Sequence, residues 1–479
     1  MPVKDDDLRP PSDSSRASAS GASGASGASG VPDASDASRA SGGAAKTGQP
    51  SAWVLRLVVV GLVLAALNLR PAISGLGPLM EEVRDGLGMN GTVAGLLTSV
   101  PSFCFAVFGG LAPRLARRWG PAAVVLVGMV AITAGLALRP FVGGTAGFLA
   151  ASVLALAGIA VSNVLMPVVV KHWFPGRVGP MTGLYSMALA LGTASAAAVT
   201  VPMTEALGGS WQLGLAAWAL LGVVAMAPWA AVLRDRGSRA PEPDAAREAV
   251  PERTEAAERA EEAEGAERSA ASGPDARADA GADAEPAVRI TSSPTAWALG
   301  IFFGLQASAA YITMGWLPQI FRDAGVSASS AGLMLAVTMG MGVPLSFVLP
   351  RMAARMRHQG PLVLALGVCG LAGYAGLWFA PADGAWLWAL MLGVSNCAFP
   401  LALTMIGMRS RSSAGVVKLS AFAQSTGYLI SIPGPLLVGA LHDTSGGWHV
   451  PLLLMTVLMF GQIAMGVLAG RDRVIEDGR

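Results

Sequence analysis

The residue whose chemistry stands out most is an arginine inside a hydrophobic stretch. Arg70 precedes Pro71 in a stretch that runs from about residue 53 to residue 79, and the first acidic residue after it is Glu81. Membrane-insertion experiments, which give the lowest values, put the cost of a guanidinium at the centre of a membrane helix at about 2.5–3.5 kcal/mol. Such a group therefore normally faces a protein interior or a water-filled cavity. A fixed positive charge in a cavity predicts binding of an anionic or strongly polar ligand.

Arg70 also has a structural interpretation. It lies in the outer half of its predicted span, so it could instead reach the outer headgroups or bind helix carbonyls. Pro71 removes the hydrogen bond to the carbonyl of Leu67 and predicts a kink. Asn68 is two residues from Arg70, which is about 200° around a helix, so the two side chains do not share a face.

Amides and phenols lie at mid-membrane depth in other hydrophobic runs. Asn163 and Asn396 each stand four residues before a proline, so each amide either contacts a ligand or satisfies local backbone at a kink. Gln424 and Tyr428 are four residues apart and share a helix face. Each of these groups either lines a pathway or hydrogen-bonds between helices. The predicted substrate-binding residues are Arg70, Asn68, Asn163, Asn396, Gln306, Tyr311, Gln424 and Tyr428.

The composition indicates a polytopic membrane protein. Of the 479 residues 53% are hydrophobic and only 13% are charged, whereas soluble domains carry about 25% charged residues. The three cysteines all lie in apolar runs without metal-ligand spacing. The sequence contains no nucleotide-binding loop and no catalytic dyad. We therefore expect no enzyme activity, no cofactor, no metal and no nucleic-acid partner.

Twelve runs are long and apolar enough to cross a bilayer, which needs about 20 residues. The runs lie near 53–79, 92–113, 121–141, 146–171, 179–203, 211–233, 295–321, 327–350, 360–380, 385–408, 414–440 and 448–470. They predict two six-helix halves, 51–233 and 295–470. Between them, residues 234–294 predict a charged flexible linker. Residues 1–50 are rich in Ser, Ala and Gly and predict a disordered tail, and residues 471–479 form a second tail.

The loop charges set the predicted orientation. Basic residues cluster after the second and eighth spans, where Arg114 and Arg351 begin the two clusters, and around Lys171 and Arg409. The alternate loops carry most of the acids. The positive-inside rule then places the basic loops, both termini and the linker in the cytoplasm. We expect a multi-pass protein of the cytoplasmic membrane.

The two halves repeat each other in sequence. The segment Ser162-Asn163-Val164-Leu165-Met166-Pro167 resembles Ser395-Asn396-Cys397-Ala398-Phe399-Pro400, and the two stand 233 residues apart. Two six-span halves in parallel repeat are the layout of the major facilitator superfamily. The sequence therefore predicts an all-α integral membrane protein with the major facilitator fold, 12 transmembrane helices and two pseudo-symmetric halves.

A narrower family resemblance begins in the first span. The segments Asn68-Leu69-Arg70-Pro71-Ala72-Ile73, Gly77-Pro78-Leu79 and Gly95-Leu96-Leu97-Thr98-Ser99-Val100-Pro101 resemble the CynX/NimT type of transporter. This is the cyanate and 2-nitroimidazole branch of the superfamily. The resemblance implies a substrate among small anions or nitroimidazole-like compounds. The loop Gly110-Leu111-Ala112-Pro113-Arg114 lacks the Asp of the superfamily signature, which puts the Asp-dependent gating latch in doubt.

The sequence predicts a monomeric transporter that works by alternating access in the lipid bilayer. Its substrate should be a small anion or a compact polar organic solute, held between the halves near Arg70. All four histidines lie in loops or at span ends, and no acid lies well inside a span. Export of organic cations is therefore disfavoured, while a co-transported proton and facilitated diffusion both stay open. The alternative function is an efflux pump for neutral or hydrophobic drug-like compounds, recognised by Met- and Trp-rich walls.

Overall fold

The computed structural model describes residues 52–234 and 290–477. The predicted tail at 1–50, all but the ends of the predicted linker at 234–294, and the last two residues lie outside the described residues. The regular structure in the described ranges is helical.

Each half consists of helices joined by short connections. The helices of the first half are α1 (Ala52–Asn68), α2 (Pro71–Ser74), α3 (Met80–Leu87), α4 (Gly91–Cys104), α5 (Gly110–Trp119), α6 (Pro121–Leu138), α7 (Gly144–Trp173), α8 (Val178–Ala206) and α9 (Trp211–Arg234). The helices of the second half are α10 (Pro294–Asp323), α11 (Ala328–Gly340), α12 (Gly342–Arg355), α13 (Gly360–Phe379), α14 (Ala385–Asn396), α15 (Ala398–Met408), α16 (Ser413–Ser431), α17 (Pro433–Ser445) and α18 (His449–Ala469).

Eleven helical segments in the described ranges are long and apolar enough to cross a membrane. They coincide with eleven of the twelve predicted spans. The predicted span at 414–440 is instead built from α16 and α17, which meet at Ile432. Pro433 opens α17, and its missing N–H explains why a single long helix does not continue through this point.

The first span is interrupted where the sequence predicts a kink. The helix α1 ends at Asn68, and α2 begins at Pro71. Proline cannot donate to the preceding turn, so the chain starts a new one. The carbonyl of Arg70 anchors this turn, because it accepts hydrogen bonds from the backbone N–H groups of Ile73 and Ser74, each at 3.0 Å.

The halves meet through two pairs of helices: α8 packs against α11, and α4 packs against α17. Ion pairs join the halves at the end that carries the acidic loops. Arg322 of α10 lies 2.8 Å from both Glu81 and Glu82 of α3. Arg84 of α3 lies 3.8 Å from Asp443 of α17. This outer latch, formed by Glu81, Glu82, Arg84, Arg322 and Asp443, holds the two halves together at that end.

Next to the outer latch, α4 and α17 approach at backbone distance. A Cβ atom added to Gly95 would lie 2.8 Å from the carbonyl oxygens of both Pro435 and Leu436. Small residues allow helices in membranes to come this close. Gly95 is therefore required for this end of the molecule to close.

We predict that Gly95→Ala opens the latched end. Overpacking a tight contact costs about 1–3 kcal/mol, which should lower the ratio of closed to open molecules roughly 5- to 150-fold. Labelling of a Thr98→Cys reporter from the acidic-loop side, in a background without the native cysteines, measures the population that is open there.

Gly407 of α15 provides the matched control, because a Cβ atom added there meets nothing within 4 Å. The Gly407→Ala variant should label at the wild-type rate. Wild-type labelling in Gly95→Ala as well would show that the close contact does not control closure.

Candidate functional site

A cavity of about 450 Å³ lies between the two halves. It is lined by Arg70, Thr182, Gly183, Ser186, Met187, Leu189, Ala190, Thr193, Ala307, Ala310, Tyr311, Met314, Met339, Gly342, Val343, Ser346, Phe347, Gly393, Asn396, Cys397, Phe399, Pro400, Leu403 and Tyr428. The lining comes from α8 of the first half and from α10 to α16 of the second, apart from α13. Arg70 alone carries a charge among these described lining residues.

The cavity opens towards the end that carries the basic loops. Two of its lining residues, Met187 and Phe347, are 49% and 46% exposed. Met187 follows the basic residue Arg177 at the start of α8, and Phe347 precedes Arg351 in α12. The opposite end is closed by the outer latch. The structure is therefore open on one side only, as alternating access requires.

Arg70 is surrounded by phenol groups rather than by carboxylates. It interacts electrostatically with Tyr185, Tyr311 and Tyr428, and Tyr311 is within its hydrogen-bonding reach. These are three of the four tyrosines in the chain. Within residues 52–234 and 290–477, no carboxylate forms an ion pair with Arg70. Its positive charge is therefore available to a ligand in the cavity.

Arg70 and Asn396 both lie at interruptions of membrane helices. Arg70 stands between α1 and α2, and Asn396 is the last residue of α14, after which Cys397 separates α14 from α15. Irregular backbone at membrane depth is tolerated where it is buried in protein or lines a cavity. The two breaks thus deliver one polar side chain from each half to the same cavity.

Hydrogen bonds among three side-chain amides fix the orientation of the Asn396 side chain. Gln306 Nε2 donates to the backbone carbonyl of Asn396 and to its Oδ1, each at 3.1 Å. A carbonyl can only accept, so Gln306 must turn its nitrogen towards Asn396 and its oxygen away. That oxygen accepts a hydrogen bond from Gln462 Nε2 at 2.7 Å.

The donor-to-acceptor direction of these hydrogen bonds makes Asn396 a donor towards the cavity. Its Oδ1 is occupied by Gln306, so its amide hydrogens remain for the sulfur of Met339, 3.7 Å away, and for the cavity that both residues line. A thioether is only a weak acceptor. Arg70 and Asn396 therefore both offer N–H groups to an occupant.

The other predicted residues lie at different distances from the cavity. Asn163 accepts a 2.6 Å hydrogen bond from the Tyr185 hydroxyl, and Tyr185 interacts electrostatically with Arg70. Asn163 is therefore connected to Arg70 through Tyr185. Gln306 is buried and does not line the cavity, but it donates a hydrogen bond to Asn396, which does. Of the eight predicted residues, those that line the cavity are Arg70, Tyr311, Asn396 and Tyr428.

Two predicted residues do not line the cavity, and in the described ranges their side chains show no hydrogen bond to a residue that does. Asn68 is fully buried, and its Nδ2 lies 3.8 Å from the sulfur of Met129 in α6. This agrees with the prediction that Asn68 and Arg70 lie on different faces. Gln424 donates to Ser420 of its own helix at 2.8 Å. The structure instead adds Gln462, whose signal in the sequence is a single amide in the middle of the apolar helix α18.

Comparison with known proteins identifies the family. A model described as Major Facilitator Superfamily matches residues 62–430. The chain belongs to the Major Facilitator Superfamily. A solved D-xylose-proton symporter has this fold with a TM-score of 0.62 at 13% identity, covering 89% of this chain and 98% of that chain.

Two relatives place the chain within the superfamily. It is 29% identical to the 2-nitroimidazole transporter of Escherichia coli (strain K12), with 88% of this chain and 96% of that protein covered. It is 31% identical to the cyanate transport protein CynX of the same organism, with 81% and 90% covered. The predicted CynX/NimT-type resemblance is confirmed, and the chain is a multi-pass membrane transporter, not an enzyme.

We predict that Gln306→Leu destabilises the transporter, because the change removes both hydrogen bonds to Asn396 and leaves Gln462 without its acceptor. Losing one partner of a buried hydrogen bond costs about 1–3 kcal/mol. Thermal unfolding of the purified protein should show a correspondingly lower Tm.

Gln424→Leu is the matched control for this change. Gln424 is half-buried and bonds only to a neighbour on its own helix, so this variant should unfold within about 0.5 kcal/mol of the wild type, as surface substitutions usually do. An equal loss of stability in both variants would contradict the amide chain as a buried structural unit.

Proposed function

We propose that this transporter carries a small anion or a compact solute rich in hydrogen-bond acceptors, by alternating access, with the substrate held between the halves at Arg70. The observation that carries the proposal is the charge of the cavity. Arg70 is the charged residue of the described lining and has no carboxylate partner in the described ranges. An anionic group in the cavity would compensate it through charge-assisted hydrogen bonds.

The donors around the cavity support the same substrate class. Asn396 turns its amide hydrogens towards the cavity, and Tyr311 and Tyr428 add phenol groups to its lining. A volume of about 450 Å³ lies within the range of roughly 300–1,000 Å³ that small-molecule sites occupy. We infer that a carboxylate, a nitro group or a linear anion is held by Arg70 and Asn396 together, with Tyr311 and Tyr428 beside it.

The relatives fit this chemistry. Cyanate is a small anion, and a nitroimidazole carries a nitro group whose oxygen atoms accept hydrogen bonds. Both would place acceptor atoms against the donors of Arg70 and Asn396. We propose a substrate with the same feature for this chain: acceptor atoms concentrated at one end of a small molecule.

We further propose that the protein works as a monomer in the cytoplasmic membrane, with both termini in the cytoplasm. The end that carries the basic loops would face the cytoplasm under the positive-inside rule, and the structure would then be inward-facing. The described lining of the cavity contains no acid or histidine. A co-transported proton would therefore travel on the anionic substrate itself, and facilitated diffusion needs no further group.

A second candidate function is efflux of neutral or hydrophobic compounds. The observation that favours it is the apolar share of the lining, which includes the side chains of Met187, Met314, Met339, Phe347 and Phe399. Methionine-rich walls adapt to many shapes. Such a pump would not need the charge of Arg70, so one substitution separates the two functions.

We predict that Arg70→Gln strongly lowers saturable uptake of labelled cyanate and simple carboxylates into liposomes. A hydrogen bond to a charged group contributes about 1.5–3 kcal/mol, so kcat/KM should fall roughly 10- to 150-fold. Arg70→Lys keeps the charge but loses the bidentate geometry, and should retain part of the activity.

The exposed Arg473, outside the cavity, provides the matched control. Arg473→Gln should transport at the wild-type rate. If a folded wild-type protein moved none of these anions but exported neutral drug-like compounds, and Arg70→Gln exported them equally well, the efflux function would replace the proposed one.

A further inference from the structure

A second arginine is buried in the first half, away from the cavity that holds Arg70. Arg139 follows the last residue of α6 and is 1% exposed. Its Nη1 donates to the carbonyl of Ala72 in α2 at 3.0 Å, and its guanidinium carbon lies 5.4 Å from the centre of the Phe148 ring. These contacts hold the side chain in place beside the interruption of the first span.

The contacts leave part of the guanidinium without a partner. Both Nε and Nη2 of Arg139 are buried and have no hydrogen-bond acceptor in the described residues, and no carboxylate there forms an ion pair with it. An arginine guanidinium stays protonated in proteins, so the group keeps its charge at neutral pH. A buried cation without a counter-charge is strongly unfavourable.

Arg139 lines a small cavity of about 20 Å³. A space of roughly 10–15 Å³ is enough for one water molecule, so this cavity has room for one small species. In the first half its walls come from the four helices α2, α3, α4 and α7. In the second half they come from Tyr311 and Gly315 of α10. Tyr311 also lines the large cavity, so its side chain borders both.

Two other polar groups of the small cavity have already used their hydrogens. The hydroxyl of Ser152 donates to the carbonyl of Phe148 at 2.7 Å, and the hydroxyl of Thr98 donates to the carbonyl of Gly95 at 2.9 Å. Apart from the Tyr311 hydroxyl, the free donors at this position are those of Arg139. An occupant must accept hydrogen bonds from a cation.

We propose that the small cavity behind Tyr311 binds one monovalent anion of halide size, held by Nε and Nη2 of Arg139. A halide is only slightly larger than water, accepts hydrogen bonds and supplies the missing counter-charge. Residues of both halves enclose the site, so the bound anion stabilises the state in which the outer latch is closed. The site stands apart from the substrate site at Arg70 and does not depend on which substrate the transporter carries.

Bromide tests the proposal directly, because it can be located by anomalous diffraction. Crystals of the wild-type protein in sodium bromide should show an anomalous peak in contact with Arg139. Density at that position without an anomalous signal would identify a water molecule and overturn the proposal, and this measurement needs no variant.

A stability titration tests the same site in solution. The Tm of the wild type should rise when sodium gluconate is replaced by sodium chloride or bromide at constant ionic strength. The rise should persist in Arg70→Gln and disappear in Arg139→Gln. A rise that disappears in Arg70→Gln but persists in Arg139→Gln would assign the halide to the large cavity instead. If Arg139→Gln does not fold, the bromide position in the wild type decides alone.

Discussion

The rest of the structure depends on the cost of an uncompensated guanidinium inside a membrane protein. Moving a charge from water into an apolar interior costs far more hydration free energy than any single contact restores, unless the charge is paired or solvated. Arg70 meets this constraint by facing a cavity among three tyrosines, whereas Arg139 meets it only in part, with a backbone carbonyl and an aromatic ring. The cavities exist at these two places because a sealed apolar core would not tolerate either side chain.

The helix interruptions follow from the same constraint. An unbroken membrane helix satisfies its own backbone and leaves nothing for a ligand. At Arg70 and at Asn396 the helices stop, and the freed backbone is satisfied by neighbours: Arg139 donates to Ala72, and Gln306 donates to the carbonyl of Asn396. The helix break at Arg70 and the one at Asn396 are thus each supported by a buried polar side chain from another helix that does not line the large cavity.

Much of the fold could be predicted from sequence, because lipid forces every span to be a long apolar helix and loop charges differ between the two sides. Less of the candidate site could be predicted from sequence. The angle between Asn68 and Arg70 follows from helix geometry alone. Gln424 and Tyr428 share one face of α16, yet Tyr428 lines the cavity while Gln424, one turn away, donates to Ser420, because packing decides which turn of the helix meets the cavity. The division between α16 and α17 depends on Pro433, whose effect in a membrane helix varies with its neighbours.

The energy that holds the latched end closed is modest. Ion pairs between exposed groups contribute about 0–1 kcal/mol each. Arg322 is mostly buried, but its partners Glu81 and Glu82 are 45% and 34% exposed, so water still screens the two pairs. A transporter needs such a balance, because a ligand can shift a conformational equilibrium only by its difference in affinity for the two states. Tyr311 links the latched end to the cavity through α10, which also carries Arg322. A substrate bound at Arg70, as proposed, would therefore lie against the helix that carries the arginine of the latch.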